Sequence, residues 1–267
     1  MKSNNKKMPE LFIGHGSPMN VVYNNDFTDS LTALGKRLTD PRAIMVISAH
    51  WLTQGTYVGC NEEPETIHDF YGFPEELYEM EYPSPGSPDD ARYLIESVGK
   101  VDIKCSNDWG LDHASWAVLK HMYLAANIPV FEMSLDYSFN DWHPKPMLYH
   151  YDIASELAIM REKGILIIGS GNIVHNLRNI DFQNIDAQPY DWAVEFDERV
   201  KMDLINKNYE ELINYHKING AAVAVPTPDH YLPMIYILAL QAENDPLKFT
   251  YEGFQHGSIS MRCFQIG

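Results

Sequence analysis

Short apolar segments rich in β-branched residues recur along this chain and alternate with longer amphipathic segments of helical period. The apolar segments cover residues 11–14, 43–48, 129–135 and 164–171, lengths typical of buried strands. Strands that alternate with helices favour a mostly parallel sheet with helices on both faces, so we predict an α/β fold. The predicted helices cover residues 27–38, 88–98, 115–126, 145–161, 192–205 and 231–242.

The C-terminal segment differs from the rest of the chain. From residue 248, polar and apolar residues alternate, which indicates a hairpin and makes the predicted sheet mixed. A chain of 267 residues with 45% hydrophobic content is long enough for one large domain. We therefore predict a flexible N-terminus over residues 1–7 and a single domain over residues 8–267.

Composition excludes several classes of partner. A formal net charge of −17 repels phosphate backbones and anionic lipid, so we expect a small-molecule substrate and neither nucleic acid nor membrane as partner. Apolar runs fall short of the roughly 20 residues that span a bilayer and of a signal peptide, so we expect a cytoplasmic protein. Cys60, Cys105 and Cys263 are widely spaced without a C-x-x-C pair, and we expect no disulfide and a reducing compartment.

Four of the eleven histidines share a sequence context. His15, His50 and His175 come shortly after apolar strands, and His230 directly precedes an apolar helix. The carboxyl ends of strands in an open α/β sheet converge on one crevice, where distant residues can meet around one ligand. Imidazole suits Fe, Zn, Cu or Ni, so this pattern predicts a metal site; the alternative is four ordinary polar residues at strand ends.

The polar neighbours of these histidines are candidates to accept a hydrogen bond from the second ring nitrogen of a metal ligand. We name Asp229, Ser17 and Asn172 for this role. The GSGN segment at 169–172 lacks the lysine of a phosphate-binding loop and indicates close backbone packing beside His175. Ser17, in GHGSP, does not lie in the GxSxG motif of a serine nucleophile.

Two further histidines have a local context that allows two interpretations. His113, in WGLDHASW, opens an apolar helix and is either an acid or base beside the metal or a cap of the first helical turn. His68, in TIHDFYGFP, lies in an aromatic loop that either walls a flat ligand or simply packs.

Six motifs occur in order along the chain: GHGSPM (14–19), SAHW (48–51), TIHDFYGFP (66–74), DHASW (112–116), SGNIVHNL (170–177) and PTPDHYLP (226–233). With them, the chain from residue 8 to the C-terminal GSISMRCF segment resembles the 4,5-DOPA extradiol dioxygenase family. This family is a branch of the class III extradiol ring-cleavage dioxygenases. The resemblance implies that residues 8–267 form one catalytic domain.

The resemblance also implies one divalent metal ion held by His15, His50 and His230. His175 is then either a fourth ligand or the acid or base beside the metal, and His113 matches the second active-site histidine of the family. More distant class III enzymes hold Fe(II) with two histidines and a glutamate, so His230 stands where an acidic ligand is expected. Fe(II) is the implied ion for dioxygenase activity, and Zn(II) also suits these imidazole ligands as the bound ion.

The implied reaction inserts both atoms of O₂ into a catechol-type, DOPA-like ring and opens it, with His113 or His175 removing a catechol proton. Trp51, Phe70, Tyr71 and Phe73 are natural walls for a flat ring. The predicted substrate-binding set is Ser17, Trp51, His68, Phe70, Phe73 and Asn172.

Two other functions fit the same histidines. One is a zinc-dependent hydrolase, which needs a carboxylate base such as Asp229 or Asp112. The other is a non-catalytic metal- or ligand-binding protein similar to the Memo proteins, which resemble class III dioxygenases in fold.

Overall fold

A computed structural model describes residues 7–138, 143–144 and 146–267 of the chain. The N-terminal segment predicted to be flexible therefore lies outside the described residues, apart from Lys7. The ammonium of Lys7 lies 3.0 Å from the carboxylate of Asp245.

Strands and helices alternate as the apolar pattern predicts. The strands are β1 (Glu10–Gly14), β2 (Ala43–Thr53), β3 (Thr56–Gly59), β4 (Ile103–Ser106), β5 (Val130–Ser138), β6 (His143–Pro144), β7 (Ile165–Gly171), β8 (Leu247–Tyr251), β9 (Phe254–Gln255), β10 (Ile259–Ser260) and β11 (Cys263–Ile266). The α-helices are α1 (Asp26–Arg37), α2 (Glu75–Tyr78), α3 (Pro88–Ser97), α4 (His113–Met122), α5 (Met147–Ala154), α6 (Ala158–Glu162), α7 (Asp191–Ile205), α8 (Tyr209–Ile213), α9 (Ala221–Ala224) and α10 (Leu232–Ala239).

The main sheet is mixed and mostly parallel at its centre, which confirms the predicted fold class. Its strand order is β4-β3-β5-β2-β7-β1-β11-β8, with β6 paired to β5. The central pairs β5–β2, β2–β7 and β7–β1 are parallel. The C-terminal strands β11 and β8 add antiparallel pairs beside β1, as the alternating pattern after residue 248 predicts.

Helices cover both faces of this sheet because alternate residues of each central strand point to opposite sides. On β1, Phe12 belongs to the core cluster that includes α3, α5, α7 and α10. Its neighbours Leu11 and Ile13 belong to the cluster that includes α1 and α4. All three side chains are fully buried, each worth about 1.5–3 kcal/mol in transfer free energy.

Two helices differ from the predicted segments. The helix predicted over 115–126 begins at His113, because the carboxylate of Asp112 accepts a hydrogen bond from the amide of Ala114 at 3.0 Å and caps the first turn. The helix predicted over 145–161 is divided into α5 and α6 by a 3₁₀ turn at Ser155–Leu157.

The expectation about the cysteines is wrong, because Cys60 and Cys105 form a disulfide. Cys60 directly follows β3 and Cys105 lies in β4, and these adjacent strands are parallel. Pairing brings the two Cα atoms to 5.7 Å, a separation that a disulfide spans. Cys263 is a buried free thiol, and the cytoplasmic location remains a prediction.

Among the helices of the described segments, none has the length and apolar content to cross a bilayer.

Candidate metal centre

Three histidines from separate segments meet at the carboxyl edge of the sheet. His15 follows β1, His50 lies near the end of β2, and His230 precedes α10. The strand predicted to end before His50 continues to Thr53, but its pairing with β5 is irregular between Ile47 and Leu52. The regular pairing of β2 with β5 is therefore interrupted around His50.

Glycines allow these segments to approach one another closely. A Cβ atom on Gly171, at the end of β7, would lie 2.2 Å from the carbonyl oxygen of His230. The GSGN segment therefore serves close backbone packing, as predicted, although the neighbouring backbone is that of His230. Gly16, directly after His15, has a φ of +65°, a left-handed conformation that glycine adopts without strain.

The ring nitrogens of His15, His50 and His230 converge. The Nε2 atoms of His15 and His50 are 3.2 Å apart, and one nitrogen from each of the three residues lies within 4.8 Å of the others. The Nε2 atom of His230 is buried and has no hydrogen-bond partner among the described residues. A buried imidazole nitrogen without a partner is unfavourable, so this geometry suits a bound cation.

The opposite nitrogen of each ring is held by an oxygen. His15 Nδ1 lies 3.1 Å from Ser170 Oγ, His50 Nδ1 lies 3.1 Å from Asp69 Oδ2, and His230 Nδ1 lies 2.5 Å from Asp229 Oδ2. Acceptors at Nδ1 place the ring proton there and leave the Nε2 lone pair toward the cluster, the usual arrangement of metal-binding histidines.

The tautomer of His15 follows from its neighbours. The Ser170 hydroxyl donates its proton to the carbonyl of Ala114 at 2.7 Å. Its oxygen must therefore accept from His15 Nδ1, since a hydroxyl has one proton to give. The Nε2 atom of His15 is then the unprotonated nitrogen, which is the form that binds a metal.

Asp69 links His50 to His113. Besides His50, its carboxylate accepts from the backbone amide and the ring Nδ1 of His113, both at 2.9 Å. The ring centroid of His113 lies 4.1 Å from that of His50. Asp112, the predicted alternative base, instead caps α4 and accepts from the Ser48 hydroxyl at 2.6 Å.

His175 lies against His230 and outside the three-histidine group. The two rings are stacked with centroids 3.5 Å apart and planes 7° apart. A nitrogen of His175 groups with Asp229 and His230, whereas the group that contains His15 and His50 has His230 as its third member. Its backbone amide donates to the carbonyl of Ala224 at 3.0 Å.

Burial and the neighbouring groups favour neutral rings at His15, His230 and His113 and a charged carboxylate at Asp69. Burial and the neighbouring imidazoles lower the pKa of His15 well below its ordinary value, and burial also lowers the pKa of His230. Burial lowers the pKa of His113 to about 4. Although burial opposes the charged form of Asp69, hydrogen bonds from His113 and His50 hold its pKa below the usual range. Neutral nitrogens beside anionic carboxylates are the form that a divalent cation needs.

His50 differs from the other two histidines of the group. Burial lowers its pKa, but the hydrogen bond to Asp69 and the nearby carboxylates of Asp112 and Asp229 outweigh burial and raise it.

The predicted substrate-binding residues divide into two groups. Phe70 packs edge-on against His113 with centroids 5.8 Å apart and contacts Phe73 at 5.3 Å. Trp51 is buried and stacks on Trp109 at 5.6 Å. These aromatic residues lie near or beside the histidine segments, and their contact with substrate stays a prediction.

The other predicted contacts support the backbone. His68 Nε2 bonds the carbonyl of Met80 at 2.9 Å. Ser17 caps a short 3₁₀ helix by accepting from Met19, and Asn172 donates to the carbonyl of Ser260 at 2.8 Å. Tyr71, named as a wall, is 92% exposed.

Sequence reasoning missed Asp69 and Ser170, although both lie inside motifs that it identified. Of the three residues named to hold ring nitrogens, Asp229 does so, whereas Ser17 and Asn172 bond backbone groups. Their positions could have identified them, because Asp69 directly follows the motif histidine His68 and Ser170 lies near the end of β7.

The family described as "Catalytic LigB subunit of aromatic ring-opening dioxygenase" matches residues 9–261. The chain is 44% identical over 265 residues to "4,5-DOPA dioxygenase extradiol" of Escherichia coli strain K12, covering 98% of this chain and 95% of that protein. It is 32% identical over 262 residues to the protein of the same name from Beta vulgaris, covering 96% and 95%. The crystal structure of an uncharacterized Escherichia coli K12 protein matches with a TM-score of 0.84 and 40% identity, covering 97% of this chain and 100% of that one.

Proposed function

This chain belongs to the LigB family of aromatic ring-opening dioxygenases, and on that premise we propose that it opens a catechol ring at one metal ion held by His15, His50 and His230. The observation that carries the assignment is the convergence of three ring nitrogens whose opposite nitrogens are each held by an oxygen. Membership of the family makes the chain an oxidoreductase of the extradiol ring-cleavage type.

The residues present fit a divalent metal. Three imidazole donors leave coordination positions open for other ligands, which a catalytic site requires and a closed structural site lacks. Fe(II) is the ion that we propose for turnover, and Zn(II) suits the same three donors. When bound, Fe(II) supplies positions at which a catechol and dioxygen are held side by side, and a path for electrons between them.

His113 is the residue that we assign as the proton acceptor. Its Nδ1 is hydrogen-bonded to Asp69, so Nε2 is the ring nitrogen that remains for a substrate hydroxyl. Burial keeps the ring neutral at neutral pH, with a pKa of about 4, and a neutral imidazole accepts a proton. Asp69 fixes the orientation of the His113 ring, because its carboxylate accepts one hydrogen bond from the ring Nδ1 and one from the backbone amide of His113.

His175 is assigned a second proton-handling role, and not that of a fourth ligand. Its ring lies flat on His230, with its nitrogen near Asp229, and so flanks one ligand of the metal. Three histidines without His175 leave more open positions for a bidentate catechol and dioxygen than four would.

The substrate class follows from the relatives and from the walls of the site. Two relatives that align over nearly the whole chain are named for 4,5-DOPA extradiol cleavage. Phe70, edge-on to His113, offers a flat ring an aromatic contact worth about 0.5–1.5 kcal/mol. We therefore propose a DOPA-like catechol and O₂ as substrates.

A zinc hydrolase is less compatible with the site. That chemistry needs a carboxylate near the ion that is available to activate water. Asp112 is engaged by Ser48 and by the amide of Ala114, and Asp229 is engaged by His230. Both candidate bases therefore already hold other groups in place.

Reconstitution tests the proposed function. The purified protein is stripped of metal, loaded anaerobically with Fe(II) or Zn(II), and given a panel of catechols that includes DOPA before air is admitted. We expect the iron form alone to take up one O₂ per catechol and to yield a coloured ring-opened product that carries both atoms of ¹⁸O₂. An iron-loaded protein that consumes no oxygen with any catechol would contradict the assignment.

A further inference from the structure

A glutamate interrupts the apolar start of β5. Glu132 is 1% exposed, and the residues on either side of it, Phe131 and Met133, are buried and apolar. Burial of a carboxylate is unfavourable unless hydrogen-bond donors face it. The donors that face Glu132 therefore show what this residue holds in place.

Both oxygens of Glu132 accept a hydrogen bond from the segment that leads into α4. Oε1 accepts from the backbone amide of Asp112 at 2.8 Å, and Oε2 accepts from the indole Nε1 of Trp109 at 2.9 Å. Trp109 in turn stacks on Trp51, the residue after His50. One side chain of the sheet thus holds the start of α4 and an indole beside the histidine cluster.

Three consecutive backbone amides at the start of α4 are each held by a different carboxylate. The amide of Asp112 donates to Glu132. The next amide, that of His113, donates to Asp69 at 2.9 Å, and that of Ala114 donates to the side chain of Asp112 at 3.0 Å. Asp69 lies in a loop, whereas Glu132 lies on a strand that is paired on both sides. Of the three carboxylates, Glu132 is the one that fixes the helix start to the central sheet.

From this arrangement we propose that Glu132 is a positioning residue for His113, an inference that rests on the proposed function. His113 directly follows Asp112, so a shift of the Asp112 amide displaces the imidazole as well. The Nδ1 atom of His113 must stay in reach of Asp69 if its Nε2 is to face a substrate hydroxyl. A displacement of about 1 Å at a reacting group can lower a rate by up to about 100-fold.

The charged form of Glu132 is the form that suits two N–H donors, because an ionised carboxyl only accepts, whereas a protonated one carries a donor of its own. Burial raises the pKa of Glu132 to about 7, and the hydrogen bonds from Asp112 and Trp109 oppose burial. Asp112 is the titratable side chain that interacts with it. The neighbouring strands place Val46 of β2 and Gly59 of β3 beside Glu132. Activity that depends on Glu132 should therefore increase as the pH rises through about 7.

Glu132→Gln tests the proposal, because glutamine has nearly the same shape but only one acceptor oxygen. Its amino group then faces either the amide of Asp112 or the indole N–H of Trp109, and two donors meet. With the iron-loaded protein near pH 8, we expect kcat to fall about tenfold, while the iron content and the KM for the catechol stay within about twofold of wild type. Glu10→Gln, on a fully buried glutamate of β1, is the matched control and should keep the wild-type kcat.

Removal of the second donor should restore activity. In the double variant Glu132→Gln with Trp109→Phe, the side-chain oxygen of the glutamine is free to accept from the amide of Asp112. We expect the kcat of the double variant to lie within about threefold of that of Trp109→Phe alone. A loss as large as the one in the wild-type background would contradict the proposal.

The pH dependence separates this role from a general loss of stability. As the pH falls below about 7, Glu132 gains a proton and the wild-type protein comes to resemble Glu132→Gln. The ratio of the wild-type kcat to that of the variant should therefore narrow from about ten near pH 8 to about two near pH 6. A tenfold ratio at both pH values would contradict the requirement for a charged Glu132.

A further readout does not depend on turnover. In NMR spectra of the zinc-loaded protein, the Nδ1 proton of His113 is identified by its absence from His113→Ala. We expect this proton to exchange with water at least about tenfold faster in Glu132→Gln than in the wild type or in Glu10→Gln, because its bond to Asp69 is less well held. An unchanged exchange rate, or a raised KM for the catechol at an unchanged kcat, would overturn the positioning role.

Failure of the proposed function gives a different result. A wild-type protein that takes up no oxygen with any catechol contradicts the dioxygenase assignment, whatever the exchange rate of the His113 proton. A protein that cleaves a catechol equally fast in the wild type and in Glu132→Gln keeps the assignment and loses the positioning role of Glu132.

Discussion

Two buried polar clusters lie at opposite ends of β1, and one of them already contains a cationic side chain. At the start of the strand, the carboxylate of Glu10 lies 2.6 Å from the guanidinium of Arg161, which is 1% exposed. Arg161 also donates to the carbonyls of Met8 and Leu240 and pairs with Asp245. Just past the end of the strand, His15 meets His50 and His230.

The difference between the clusters leads us to assign a structural role to the Arg161 cluster and metal binding to the His15 cluster. In the Arg161 cluster, the guanidinium donates to two backbone carbonyls, pairs with the carboxylate of Asp245 and lies beside the buried carboxyl of Glu10, whose pKa burial raises to about 9. In the His15 cluster, nitrogen lone pairs face one another across 3.2 Å, and charged carboxylates lie behind the rings. Both clusters bury polar atoms that lack a hydrogen bond, Glu10 Oε1 and Oε2 in one and His230 Nε2 in the other. The convergence of three ring nitrogens is therefore what indicates a site for an external cation, whereas the Arg161 cluster already holds a cation of its own.

Removal of a proposed ligand should have the largest effect on the site. We expect His15→Ala to lower the affinity for Fe(II) by more than about 100-fold and to abolish ring cleavage, because only His50 and His230 would then hold the ion. Metal analysis after gel filtration checks this result. Retention of one metal per chain in this variant would remove His15 from the ligand set.

Removal of the proposed base should leave the metal in place. We expect His113→Ala to bind Fe(II) as the wild type does, and to lower kcat by about 10²–10⁴-fold, the usual contribution of a positioned acid or base. His216→Ala, an exposed histidine, is the matched control. If His113→Ala loses metal as His15→Ala does, His113 belongs to the ligand set instead.

Asp69 contacts both the proposed ligand His50 and the proposed base His113, so its replacement should affect metal binding and proton transfer. An asparagine offers one acceptor oxygen where His50 and His113 now use both carboxylate oxygens. For Asp69→Asn we expect metal affinity to fall by about 10–100-fold, with a further loss of kcat in the metal-loaded form. Asp108→Asn, at an exposed position, is the control. A loss of kcat at unchanged metal affinity would mean that Asp69 acts on His113 alone.

Replacement of Arg161 should lower the stability of the protein and leave metal binding unchanged. Arg161→Met leaves two backbone carbonyls and the carboxyl groups of Glu10 and Asp245 without the guanidinium that they share, and we expect the free energy of unfolding to fall by about 3–5 kcal/mol. Metal content per folded chain should not change. Chemical denaturation and metal analysis measure the two quantities, and the double variant Arg161→Met with Glu10→Gln should regain part of the stability. Loss of metal from a folded Arg161→Met protein would contradict the separation of the two clusters.

Much of the fold could be predicted because its central strands are continuous apolar segments. β1, β2, β5 and β7 are buried on both faces, and this burial imposes the pattern in the sequence. β3 and β4 were not predicted, since these four-residue strands carry partly exposed residues such as Tyr57 and Lys104. The disulfide was missed for the same reason, because Cys60 and Cys105 become neighbours only when these strands pair.

The histidines of the site could be predicted from the sequence more readily than the residues that form hydrogen bonds with them. Strand ends converge by topology, and this convergence identified His15 and His50 before any contact was known. Asp69 could not be assigned in this way, since it is 44 residues from His113 and meets it through a loop. A tertiary contact between two irregular segments produces no periodic pattern in the sequence, so the sequence does not predict it.

The most direct test of the three-histidine centre is a crystal structure of the anaerobic Fe(II) form, with anomalous scattering measured at the iron edge. We expect one iron per chain, about 2.0–2.2 Å from Nε2 of each of His15, His50 and His230, with His175 outside the coordination sphere. Iron bound by His175 and Asp229, or at any place away from His15 and His50, would contradict the account.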